Sequence, residues 1–183
     1  MNLTPKLRPV EPPGPHPENP MTDPAEPKDP AETASLVRDL ALASEWVADL
    51  IRRSLLRRPS GESGGHWTAA EVFTHIRASD AIAAPRIIQV VLRPDVPMMA
   101  FDEREWARHI LLAEIPLEDQ ITAFRVGRLE LVAMLRSLRD DQWALSGVHE
   151  EFGARSIAQM AQAIVDHEAE HRRQLAALAG PSQ

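Results

Sequence analysis

Cysteine is absent from the 183 residues. That excludes a disulfide framework and a thiolate metal site alike. A tight metal site has to be built from imidazole and carboxylate, and thiol chemistry has to bring its thiol with the substrate. No apolar run approaches the ~18 residues needed to cross a bilayer, and the N-terminus lacks the basic start and apolar stretch of an export signal. These absences predict a cytoplasmic chain with no membrane contact. Basic side chains are in deficit, 20 Lys and Arg against 27 Asp and Glu for a net charge of -7. Such a balance repels a phosphate backbone and argues against nucleic acid as a partner. No segment alternates convincingly as a strand, and no internal repeat is present.

The hydrophobic fraction of 44% suffices for one domain with a real core. Residues 1–30 hold ten of the sixteen prolines and almost no large apolar side chains, so they read as an extended or disordered tail outside the folded unit at 31–180. Met21 offers a second plausible start, which would make residues 1–20 dispensable.

The folded part reads as all-α, an antiparallel four-helix bundle. Asp29, Pro30 and Glu32 have the form of a helix start, and the first helix runs to about Leu56 with Leu36, Leu40, Val47, Leu50 and Ile51 inward. Gly61, Gly64 and Gly65 mark the following loop. Thr68 and Glu71 form a capping box, flanked by Trp67 and Val72 as a hydrophobic staple, and the second helix lasts to about Leu92. Pro85 should kink or restart it. A long connection from Arg93 to Pro116, broken by Pro94 and Pro97, joins helices 2 and 3 and has room for one short helix from Asp102 to about His109. The third helix, about Leu117 to Leu138, buries Ile121, Phe124, Leu131, Val132 and Leu135. Ser156 and Gln159 cap a fourth, with Ile157, Met160, Ala161, Ile164, Leu175 and Leu178 inward and Gly180 and Pro181 at its end.

Three histidines fall on these inward stripes. His167 and His171 are four residues apart, hence one turn apart on one side of the fourth helix, within reach of a single ion. His75 lies on the inward face of the second helix. Burying several imidazoles without partners costs stability at each, so the three together point to one metal site. Two charges also point inward, Glu168 and Arg128, and a buried charge needs a partner. The expectation is that they pair, with Glu168 either holding a ligand histidine in its tautomer or serving as a base toward water on the ion. His149, in the loop Gly147 to Gly153, stands where it could line the mouth of the site. Trp67, Trp106 and Trp143 read as helix-end packing, with Trp106 a possible pocket wall. His16, His66 and His109 carry less.

The run His167-Glu168-Ala169-Glu170-His171 also matches the zinc-protease pattern H-E-x-x-H. Such proteases take a further ligand downstream, and Arg172 to Gln183 contain no His, Asp or Glu. The protease reading is therefore the weakest.

Taken in order, Trp67 to His75, Pro85-Arg86-Ile87, Asp102 to Trp106, Phe124 with Arg128, Gly147-Val148-His149 with Phe152-Gly153, and His167-Glu168 through His171 to Leu175 resemble the DinB-like superfamily of metal-binding four-helix bundles, which includes the YfiT-like proteins. The resemblance covers about residues 31–178. It implies a bundle with a long link between helices 2 and 3, a homodimer, and a divalent ion, zinc or nickel, at His75, His167 and His171. The family's name refers to damage induction and not to DNA binding. Relatives include S-transferases that use a low-molecular-weight thiol such as bacillithiol or mycothiol, and others assigned a hydrolase role. The implied function is a metal-dependent thiol transferase or hydrolase acting on a small-molecule substrate. The alternative is a non-catalytic bundle stabilised by its metal, a stress or interaction module in which a carboxylate such as Glu168 closes the coordination.

Overall fold

Asp29 opens the first helix, α1 (Pro30–Arg57), by accepting the backbone N–H groups of Ala31 and Glu32 on Oδ1 at 2.8 and 2.9 Å. The structure, a computed structural model, describes residues 29–57, 67–109 and 112–180. The proline-rich tail, the alternative start at Met21, the glycine loop at 61–65, His16, His66 and Pro181 lie outside the described residues.

The second helix, α2 (Ala69–Leu92), starts at the expected capping box: Thr68 Oγ1 accepts from Glu71 N, and Glu71 Oε2 accepts from Thr68 N at 2.7 Å. It continues as one helix through Pro85, so the proline does not restart it. Pro85 is exposed, so the carbonyl four residues back that loses its partner can turn to water. After the link come α4 (Leu117–Arg136) and α5 (Ile157–Ala179), the latter capped by Ser156 and Gln159. The inward stripes read from the sequence are buried, except that Met160 and Leu178 are only partly so.

Helix direction follows from who meets whom. Arg52 pairs with Glu118 and Arg128 reaches the Leu40 carbonyl, so α1 and α4 run oppositely. Ser54 contacts the Leu175 carbonyl and Arg53 that of Gly180, while Leu36 and Val37 pack with Ile157 and Ala161, so α1 and α5 run the same way. The second helix opposes both α1 and α5, because Val72 and Ile76 share a cluster with Val47, Ile51 and Leu175 and Ile87 and Val90 share the other with Leu36 and Ile157. Since α2 and α4 are therefore parallel, the chain must travel back along the bundle between them, which is the physical reason for the long link.

That link holds the expected short helix, α3 (Glu103–His109), a 3-10 turn at Leu112–Glu114, and a strand, β1 (Pro97–Met98). The strand was not expected. It pairs in parallel with β2 (Ser146–His149), which is antiparallel to β3 (Gly153–Ser156), so the stretch read as a loop before the fourth helix is a β-hairpin. Gly153 turns it at φ 70°. Gly147 lets the sheet lie on the bundle: a Cβ there would stand 2.8 Å from Val90 Cγ2. Among the described residues no helix is long and apolar enough to cross a membrane.

Candidate metal centre

Two apolar clusters fill the bundle, one around Leu40, Ile87, Leu131 and Ile157 and the other around Ile51, Phe73, Phe124 and Leu175. Between Phe124 and Leu131 α4 inserts Arg128, 1% exposed. Its guanidinium grips Glu168 through both terminal nitrogens, Nη1 to Oε2 at 3.0 Å and Nη2 to Oε1, while Nη2 also donates to Asp80 Oδ1 at 2.6 Å. The expected Arg128–Glu168 pair is present, and Asp80, missed in the sequence, makes it a triad. Burial works against the charge of Arg128, but Glu168 and Asp80 hold its pKa above the ordinary arginine value. Burial pushes Glu168 up to about 7 against the pull of Arg128, and the charge of Asp80 adds a smaller push in the same direction.

One layer along the bundle, α2 and α5 bring the three histidines together. Nε2 of His167 lies 2.9 Å from Nε2 of His75 and 3.0 Å from Nε2 of His171, and ligand atoms of all three lie within 4.8 Å of one another. His171 is buried and the other two are half-buried. A neutral imidazole nitrogen offers one in-plane N–H or one lone pair, so His167 Nε2 can satisfy one of these two contacts and not both. A central cation reconciles all three. Tetrahedral zinc with bonds of 2.0–2.1 Å sets its nitrogen ligands about 3.3 Å apart, close to the spacing found. Burial, with His171 and His75 adding to it, pushes His167 down to about 3, so at neutral pH its ring is uncharged, the form that binds metal.

The site also has supports that the sequence reading did not assign. His171 Nδ1 lies 2.8 Å from Gln174 Oε1; donation of its N–H there leaves the Nε2 lone pair facing the other rings. The i, i+3 spacing of His171 and Gln174 was the available signal. Trp67, read as helix-end packing, stands edge-on to His75 at 5.2 Å between centroids and stacked on His171 at 6.4 Å, so it walls the trio. Trp106 sits half-buried on α3, which packs on α2.

Glu168 meets the guanidinium of Arg128. Both of its oxygens are taken by Arg128, and the His171 ring is met by Gln174 instead. His149 ends β2, where its Nδ1 accepts the N–H groups of Glu151 and Phe152 and its ring stacks on Phe152. Burial and then the charge of Arg86 lower its pKa. Arg86, whose charge His149 feels, lies three turns beyond His75 along α2, about 16 Å at 1.5 Å per residue. His109 is exposed, 3.7 Å from Glu105.

The family model for the DinB superfamily matches residues 30–175. The chain belongs to the DinB superfamily. Among solved structures, this DinB protein is similar to YfiT from Bacillus subtilis, described as a probable metal-dependent hydrolase with an unusual four-helix bundle topology. The TM-score is 0.74 at 17% identity, over 86% of this chain and 91% of that one. At that identity the likeness establishes the DinB fold. No curated protein matches the chain.

Proposed function

We propose that this chain is a metal-dependent enzyme that holds a divalent cation at His75, His167 and His171 and acts on a small molecule with water or a low-molecular-weight thiol as nucleophile. The convergence of three Nε2 atoms carries the reading. Bound there, zinc or nickel supplies Lewis acidity that lowers the pKa of water or of a thiol near neutral pH. Three protein ligands leave coordination open, and Glu168, the carboxylate considered above as a fourth ligand, is held by Arg128. That engagement argues against the closed, purely structural site of the non-catalytic alternative. It also removes the base that an H-E-x-x-H protease requires.

The chain's own residues divide the remaining work. Gln174 orients His171, and Trp67 shields two of the rings on one side. Thiol transfer is the finer form of the proposal, with bacillithiol, mycothiol or coenzyme A as cosubstrate, since the chain has no thiol of its own. A cytoplasmic setting, where small thiols stay reduced, and a homodimer belong to the same reading.

The test combines metal analysis with a screen. Purified protein should carry about one zinc or nickel per chain, and His171→Ala should carry little. The loaded protein should conjugate an electrophile with one of the three thiols or hydrolyse a member of an ester and amide panel. Equal metal in both proteins removes the site; metal without any turnover removes the enzyme.

A further inference from the structure

The triad of Asp80, Arg128 and Glu168 draws on every long helix of the bundle. The second helix gives Asp80, the fourth Arg128 and the fifth Glu168, while α1 offers the Leu40 carbonyl 3.4 Å from Arg128 Nη1. All three side chains are buried, at 6%, 1% and 4% exposure. Stability alone does not account for such a group, because well-packed apolar residues of similar volume do as well or better than buried ion pairs. Nor is the group fully satisfied: among the described residues Arg128 Nε is buried with no hydrogen-bond partner.

Position suggests what it does. Asp80 stands one and a half turns past His75 on α2, and Glu168 stands between His167 and His171 on α5. The apolar clusters on either side are non-directional and tolerate a slide or rotation of one helix against another. A guanidinium fork does not, since its N–H groups reach two carboxylates on two helices only at one height and one rotation.

We infer that Asp80, Arg128 and Glu168 are positioning residues, a register lock that sets α2 against α5 so that His75 meets His167 and His171. The inference rests on reading the trio as a metal centre. It requires metal affinity to depend on the triad even where stability does not.

The variant Asp80→Leu/Arg128→Met/Glu168→Leu separates the two. It removes all charges together, so none is left buried alone. It should melt at or above the wild-type temperature, yet bind Co2+ about 10-fold or more weakly by chelator competition, the loss usual when supports of metal ligands are removed. Its visible Co2+ absorption should change in shape as well as amplitude. A folded triple variant with wild-type Co2+ affinity and spectrum overturns the lock. Should the triple variant not fold, Glu168→Gln is read the same way at unchanged helicity: several-fold weaker Co2+ binding supports the lock, and unaltered binding overturns it. Wild-type protein that takes up no Co2+ overturns the metal reading itself, and the lock with it.

Discussion

Nδ1 of His171 lies 2.8 Å from Oε1 of Gln174, one turn further along the same helix. That contact commits the ring to presenting Nε2 to the trio. Gln174→Leu should leave the fold intact and weaken zinc binding about 10-fold or more, whereas Gln174→Glu should retain or raise affinity. Competition with a chromogenic chelator checks both; equal affinity in the Leu variant would mean that Gln174 does not orient the ligand.

Trp67 predicts an optical signal. Its ring is stacked on His171 and edge-on to His75, so Cu2+ or Ni2+ in the trio should quench part of the tryptophan emission by short-range energy transfer. Trp67→Phe should abolish most of that quenching while leaving metal affinity nearly unchanged. Quenching that persists would place the ion elsewhere.

A pH dependence follows from two opposed groups. His167 is held at about 3 against an ordinary 6.5, so as pH falls through that interval the unfolded chain gains a proton the folded one does not, and stability is lost. His149, also lowered, acts in the same sense. Glu168, raised to about 7 from 4.5, does the reverse: its contribution is full below 4.5 and lost as pH rises through 7. Metal-free protein should therefore have a shallow stability profile between pH 7 and 4.5 and a steep loss below it. Urea midpoints on His167→Gln, which cannot titrate there, should show a gentler acid limb; an unchanged limb would remove His167 as its cause.

Arg128→Met alone leaves Asp80 and Glu168 buried without their cation. Urea unfolding should record a loss of about 3–5 kcal/mol, in the range for breaking a buried ion pair from one side. A loss under about 1 kcal/mol, as for an exposed pair, would show that water reaches the triad.

The helices are legible in the sequence because their signals are local. Asp29, the Thr68–Glu71 box and the Ser156–Gln159 box each announce a start within four residues, and the apolar stripes repeat every turn. The sheet is not legible. A strand of two residues and two of four are too short for alternation to register, and β1 finds its partner some fifty residues away at Val148 and His149. The trio could be assembled from spacing and inward phase. Asp80 could not, because its importance appears only when Arg128 of α4 reaches it and Glu168 of α5 at once. The surroundings of His149 are not legible either: a sequence shows that it precedes α5 but not that its ring stacks on Phe152 and feels the charge of Arg86.

His75 and His167 are 92 residues apart in the chain, and α2 and α4 run parallel between them. An ion shared by the two would tie off a loop of half the protein. On the chain-entropy model a covalent cross-link across such a span is worth about 4–5 kcal/mol. In a chain without cysteine, a coordination bond can supply a cross-link of that reach, and unlike a disulfide a chelator can undo it.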